Sequence, residues 1–130
     1  MLMVTAYFVI GQNTESAQPK LSSTQIKLLE IGDKCVDFGE RAIANDPVIV
    51  AFQMLVRESK KAGVIERCMA DNGYQANPAW LKYAEPIAKT NAKQQNSSVD
   101  EALTILRRQH MQIFEPVSAR PAYWVKQTKR

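Results

Sequence analysis

Apolar positions fall into helical steps along most of the chain. Leu28, Ile31, Cys35, Phe38 and Ala42 recur at alternating intervals of three and four, which places them on one stripe of a helix. Leu29, Val36 and Ile43 widen the stripe. Ser22, Ser23 and Thr24 precede it as N-cap candidates, so a first helix is predicted from about residue 23 to residue 45. Gly32 and Gly39 lie one heptad apart inside it. Each weakens a helix interior by roughly 1 kcal/mol. The sharper reading is that both sit at a close crossing with another element.

Asp46-Pro47 marks the next start, with Asp as N-cap and Pro in the first turn. Val48, Ala51, Phe52, Leu55 and Val56 are then expected to face inward. Lys60 and Lys61 ahead of Gly63 read as a helix end. Yet Val64 to Met69 is helical in character again. At about 100° per residue, the apolar face of Val64, Ile65, Cys68 and Met69 points about 130–150° away from that of residues 48–56. A straight helix would change its buried face midway. A turn at Gly63 removes the conflict and is the expectation.

Gly73 suits a left-handed cap with Tyr74 packed behind it. Asn77-Pro78 repeats the cap-plus-proline start, for a short helix to about Glu85 that buries Trp80, Leu81 or Ala84. Pro86 restarts it to about Lys93, and residues 93–98 read as a loop. Ser98-Val99-Asp100-Glu101 is a capping box. Val99, Ala102, Leu103, Leu106, His110, Ile113 and Phe114 share one face of the last helix, which Glu115-Pro116 stops. There is no internal repeat and no strong alternating strand pattern. The expected fold is all-α: a single domain of four to five helices with irregular N- and C-terminal segments. Residues 1–21 form an apolar N-terminal segment plus polar linker, 22–115 the helical domain, and 116–130 a basic aromatic tail.

Composition sets outer bounds. A length of 130 residues suits one domain. Hydrophobic and charged shares of 45% and 23% exclude a wholly disordered, collagen-like or multi-pass membrane chain. The net charge of +4 is uneven. Residues 115–130 hold Arg120, Lys126, Lys129 and Arg130 against Glu115, a difference of +3 that leaves +1 for the rest. Basicity therefore belongs to the tail, which argues against a nucleic-acid-binding body.

The run LMVTAYFVI at residues 2–10 is too short for a bilayer, which needs about 20 residues. It matches the apolar core of a secretory signal. No Lys or Arg precedes it, and Glu15 stands where cleavage after Ala17 wants a small residue. The alternative is a strap packed on the core or on a partner, with Tyr7 and Phe8 as its aromatic contacts. Both readings stand.

Cys35 and Cys68 are the two cysteines. They form no C-x-x-C, and one histidine does not complete the usual structural zinc sets, so no metal is expected. In a reduced cytosol they would be small buried hydrophobes; elsewhere they would pair. Bridged Cα atoms lie within about 7 Å. Cys35 precedes the turn near Asp46 by roughly 15 Å of helix, and Cys68 follows it by roughly 33 Å. A straight hairpin would hold them well over about 10 Å apart. A chain that turns back at Gly63 brings them level. A Cys35–Cys68 disulfide is expected on that condition.

The stretch Cys68-Met69-Ala70-Asp71-Asn72-Gly73-Tyr74 resembles the C-M-x-x-x-G-Y segment of small bacterial envelope proteins and lipoproteins. There it commonly accompanies one earlier cysteine. The resemblance covers seven residues and implies an extracytoplasmic helical protein of the periplasm or cell envelope. The chain departs from it at the N-terminus, where no lipobox cysteine adjoins the apolar run.

Motifs that carry chemistry are missing from the sequence: no phosphate loop, dinucleotide fingerprint, zinc-protease helix, nucleophile elbow or calcium loop. His110 lies on an apolar face and reads as a border histidine bonded to the core rim. No enzyme and no cofactor are expected. Tyr123-Trp124-Val125-Lys126 mixes aromatics with a cation. Such a mix anchors protein interfaces or stacks on bases; the bland reading is a strap with Trp124 packed on the core. Tyr123, Trp124, Lys126, Tyr7 and Phe8 are the partner-binding candidates. The expected function is a non-enzymatic protein-binding accessory or structural component of an extracytoplasmic assembly. The alternatives are a small inhibitor or immunity-type protein, and a nucleic-acid-associated protein using the basic tail. A protein partner is expected, and nucleic acid and a transmembrane helix are not. Removing residues 117–130 is expected to leave the helical domain folded.

Overall fold

A computed structural model describes residues 21–128. Tyr7, Phe8 and the rest of the N-terminal apolar run lie outside the described residues. In chain order the elements are α1 (Ser23–Ile43), α2 (Ala51–Asp71), β1 (Tyr74–Ala76), α3 (Pro78–Gln95), α4 (Val99–His110) and β2 (Trp124–Lys126). The helical class and the helix count agree with the sequence expectation. The two short strands do not.

Helix α1 opens with a reciprocal cap. Ser22 Oγ accepts from the Gln25 N–H at 3.2 Å, and Gln25 Oε1 accepts from the Ser22 N–H at 2.8 Å. Its buried face is Gly32, Cys35, Gly39 and Ile43. Both glycines mark close approaches, as the sharper reading has it. A Cβ at Gly39 would stand 3.0 Å from Ile65 Cγ1 and 3.2 Å from the Lys61 carbonyl of α2. A Cβ at Gly32 would overlap the Phe114 ring. Phe38, expected inside, is 46% exposed, because the glycine stripe turns the neighbouring face to α2.

Helix α2 corrects the sequence reading twice. It runs unbroken through Gly63, where a turn was expected. Its start is at Ala51, and Asp46-Pro47 lies in the preceding connection. The Gln53 side chain does the capping, accepting from the N–H groups of Ile49 and Val50 at 2.7 and 3.1 Å. Asp46 instead meets Lys60 Nζ at 3.2 Å. That contact explains the geometry. Asp46 lies just past the end of α1, yet it is level with a residue more than two turns into α2. The first nine residues of α2 therefore project beyond α1 by about 13 Å. An offset between two straight helices does what the turn at Gly63 was expected to do. Cys35 and Cys68 stand level, 5.5 Å apart at Cα, and form the disulfide.

Gly73 adopts φ 87°, as its cap role requires. Asn77 Oδ1 accepts from the Ala79 N–H at 3.0 Å and opens α3. That helix continues through Pro86 to Gln95, where a restart and then a loop were expected. Ala84, Ala88 and Ala92 form a flat buried ridge that lets α4 approach with Ala102 and Leu106. Helix α4 begins on Ser98, whose Oγ accepts from the Glu101 N–H at 3.0 Å. It stops at His110, so Met111 and Phe114 reach the core from the segment that follows.

The C-terminal residues are not a separate tail. Strand β2 pairs antiparallel with β1, with Tyr74 opposite Lys126 and Ala76 opposite Trp124. Three-residue strands carry too few alternating positions to announce themselves. The expected boundary at residue 116 is therefore no domain boundary. Tyr74, Trp80, Tyr123 and Trp124 belong to the same core as Cys35, Ile65, Met69 and Met111.

Candidate functional site

Of the aromatic residues nominated as partner contacts, the two among the described residues, Tyr123 and Trp124, are spent on the core. Tyr123 and Trp124 are 4% and 6% exposed. The bland strap reading accounts for both of them. Trp124 Nε1 donates to the Met111 carbonyl at 2.9 Å. The Tyr123 ring packs edge-on between Trp80 at 4.8 Å and Trp124 at 4.9 Å between centroids. Asn77 holds the strand's approach, donating from Nδ2 to the Ala122 carbonyl at 2.8 Å and from its N–H to the Tyr123 carbonyl at 2.7 Å. Lys126 stays exposed, with Nζ 5.2 Å from the Tyr74 ring centroid. Burial pushes the Tyr123 phenol up to about 12, against a small opposing pull from Arg107.

His110 sits where the sequence reading has it, at the core rim. Trp80 Nε1 donates to its Nδ1 at 2.8 Å, so the neutral ring carries its proton on Nε2. Arg120 stands 3.5 Å from Nε2. Burial, and then the Arg120 charge, lower the histidine pKa. Glu115, Arg120 and Tyr123 share with His110 a hollow of only about 110 Å³. It is too small for most organic substrates.

The open surface lies elsewhere, on the projecting half of α2. Ile49, Phe52 and Leu55 are 85%, 71% and 61% exposed, and Val50, Met54 and Val56 are exposed beside them. Of these, Phe52, Leu55 and Val56 were expected to face inward. The face change noticed at Gly63 is real, but the helix resolves it by leaving the first face uncovered. Buried Ala62, Ile65 and Met69 point about 100° round the helix from Phe52, Leu55 and Val56. The projecting half extends past α1, so α1 cannot cover it.

Helix α4 flanks this face without closing over it. Leu55, Val56, Ser59 and Lys60 form one wall of a groove of about 700 Å³, and Asp100, Glu101, Thr104, Ile105 and Arg108 form the other. Ile105 is half exposed at 50%. A second hollow of about 650 Å³ lies over Gly63, between Phe38 and Arg67. The first groove has an apolar floor and a rim of both charges, a chemistry suited to holding an apolar protein segment rather than to transforming a substrate. The sequence reading placed Phe52, Leu55 and Val56 in the core and did not nominate this surface. The one signal was the angular mismatch about Gly63. Compared with protein-family models, with curated proteins and with solved structures, the chain matches none.

Proposed function

We propose that this chain is a non-enzymatic protein-binding module, an accessory or structural component of an extracytoplasmic assembly, and that it docks through the uncovered face of α2. The observation that carries this reading is the exposure of Phe52, Leu55 and Val56 along one side of α2, with Ile49 exposed just ahead of it. Monomeric proteins seldom leave an apolar patch of more than a few hundred Å² in water. The charged and polar residues that would normally shield such a surface stand at its rim instead. The Cys35–Cys68 disulfide supports an oxidising compartment, where such bonds persist. Among the described residues no helix is long and apolar enough to cross a membrane.

The test is capture from an extract of the native source. The wild-type chain should retain a defined set of proteins. A Phe52→Glu, Leu55→Glu double variant with unchanged circular dichroism should lose them. Equal capture by both chains rejects the α2 face as the docking surface.

A further inference from the structure

The Cys35–Cys68 bridge is closed off unequally on its two sides. Cys35 is 0% exposed and belongs to the core with Ile65 and Met69. Cys68 packs on that core from its edge and keeps part of its surface open. It lines the hollow of about 650 Å³ over Gly63, with Phe38, Val64, Arg67 and Asn72 around it. Asn72 brings Nδ2 to 3.9 Å from Cys68 Sγ, so this sulfur stands beside the hollow's lining. Gly63 leaves the hollow clear, since even a Cβ there would meet nothing within 4 Å. A reagent that reaches the bridge from solvent therefore meets Cys68 Sγ first.

Disulfides exchange when a thiolate attacks one sulfur and forms a mixed disulfide, and access decides which sulfur is attacked. The rim sets no electrostatic bar to a thiolate. Arg67 faces the charge of Asp71 across the same hollow, and Lys60 is held by Asp46. The volume lies in the range of small-ligand pockets, enough for a thiol of tripeptide size such as glutathione.

We infer that Cys68 is a thiolation site, where a small-molecule thiol enters the hollow over Gly63 and exchanges with the bridge in the folded protein. The thiolate attacks Cys68 Sγ. A new S–S bond forms there as the Cys35–Cys68 bond breaks, and the electron pair leaves on Cys35 Sγ, which takes up a proton. One disulfide replaces another, so no oxidant enters. The freed Cys35 stays in apolar surroundings that favour its thiol over its thiolate. On losing its proton it attacks Cys68 again and expels the small thiol, which restores the bridge. Full reduction takes a second thiolate, which attacks the outer sulfur of the adduct and leaves Cys68 as a thiolate.

The experiment treats the full chain, bridge intact and without denaturant, with excess reduced glutathione at mildly alkaline pH. Early samples are quenched in acid, their free thiols blocked, and the digest read by mass spectrometry. Glutathione is expected on Cys68 and the blocking group on Cys35, at least about tenfold over the reverse pattern. The exchange rate should stay flat in urea below the unfolding transition. Single variants give a second reading, with circular dichroism as the check on folding. The free Cys68 of Cys35→Ser should react with oxidised glutathione in the folded protein. The free Cys35 of Cys68→Ser should react only as the protein unfolds.

An adduct on Cys35, or equal adducts on both sulfurs, overturns the inference. A rate that climbs with urea from the lowest concentrations overturns it too, because the bridge then opens only in the unfolded chain. A bridge that glutathione leaves untouched under native conditions does the same. If a single variant fails to fold, the adduct pattern and urea dependence of the wild type decide alone.

Discussion

Trp80 and His110 are fixed to each other, the indole N–H donating to Nδ1 at 2.8 Å with the rings edge to face at 5.5 Å. The bond needs Nδ1 unprotonated. Burial and Arg120 favour the same state, holding the pKa below its ordinary 6.5. Protons therefore bind the unfolded chain first as pH falls. Stability should be full above pH 6.5 and should decline as pH drops from there toward the lowered folded pKa. Denaturant midpoints at mildly alkaline and mildly acidic pH check this. His110→Gln keeps an acceptor for Trp80 and should flatten the pH slope; parallel slopes in both proteins contradict the assignment.

The tail is a structural strap, so its aromatics should report on folding. Trp124→Ala should cost about 3–5 kcal/mol, the usual loss for a large buried aromatic. Removing residues 117–130 should abolish cooperative unfolding, contrary to the expectation from sequence. Near-ultraviolet circular dichroism and thermal melts decide it. A truncated chain that melts as sharply as the full one would restore the picture of a dispensable tail.

The disulfide closes a loop of 33 residues. Reduction, or paired Cys35→Ser and Cys68→Ser changes, should lower unfolding free energy by about 3–4 kcal/mol in the chain-entropy picture. Mass spectrometry of unreduced protein from the native source should find no free thiol. Two free thiols there would remove the support for an oxidising compartment.

The two helical glycines Gly32 and Gly63 should respond in opposite senses. Nothing lies within 4 Å of a Cβ at Gly63, so Gly63→Ala should stabilise by about 1 kcal/mol. A Cβ at Gly32 meets Phe114, so Gly32→Ala should destabilise by about 1–3 kcal/mol. Equilibrium unfolding of both variants tests the unbroken course of α2. Destabilisation by Gly63→Ala would return the turn to consideration.

The sequence was most legible where local chemistry decides the outcome. The Ser98 cap, the Asn77-Pro78 start and the Gly73 stop each rest on a few adjacent residues, and each stands in the structure. The disulfide was legible too, but for a wrong reason. Its geometry depends on how far α2 projects past α1, and a long-range contact such as Asp46–Lys60 sets that offset. No local pattern encodes it. The same offset explains the candidate surface. Apolar spacing at residues 48–56 says that one face is apolar, not whether the chain's own core reaches it. The β1–β2 pairing and the burial of Trp124 likewise depend on residues some 50 positions apart in sequence.

The central claim is that the projecting face of α2 is a docking surface and no part of the core. Comparing a Phe52→Ser, Leu55→Ser variant with Ile65→Ala in dilute solution tests it most directly. Unfolding free energies are read for each. The account predicts that the face variant keeps its stability within about 0.5 kcal/mol while losing the proteins that the wild type captures. It predicts that Ile65→Ala loses about 2–5 kcal/mol. A face variant that loses as much as Ile65→Ala would contradict it, since Phe52 and Leu55 would then be core residues.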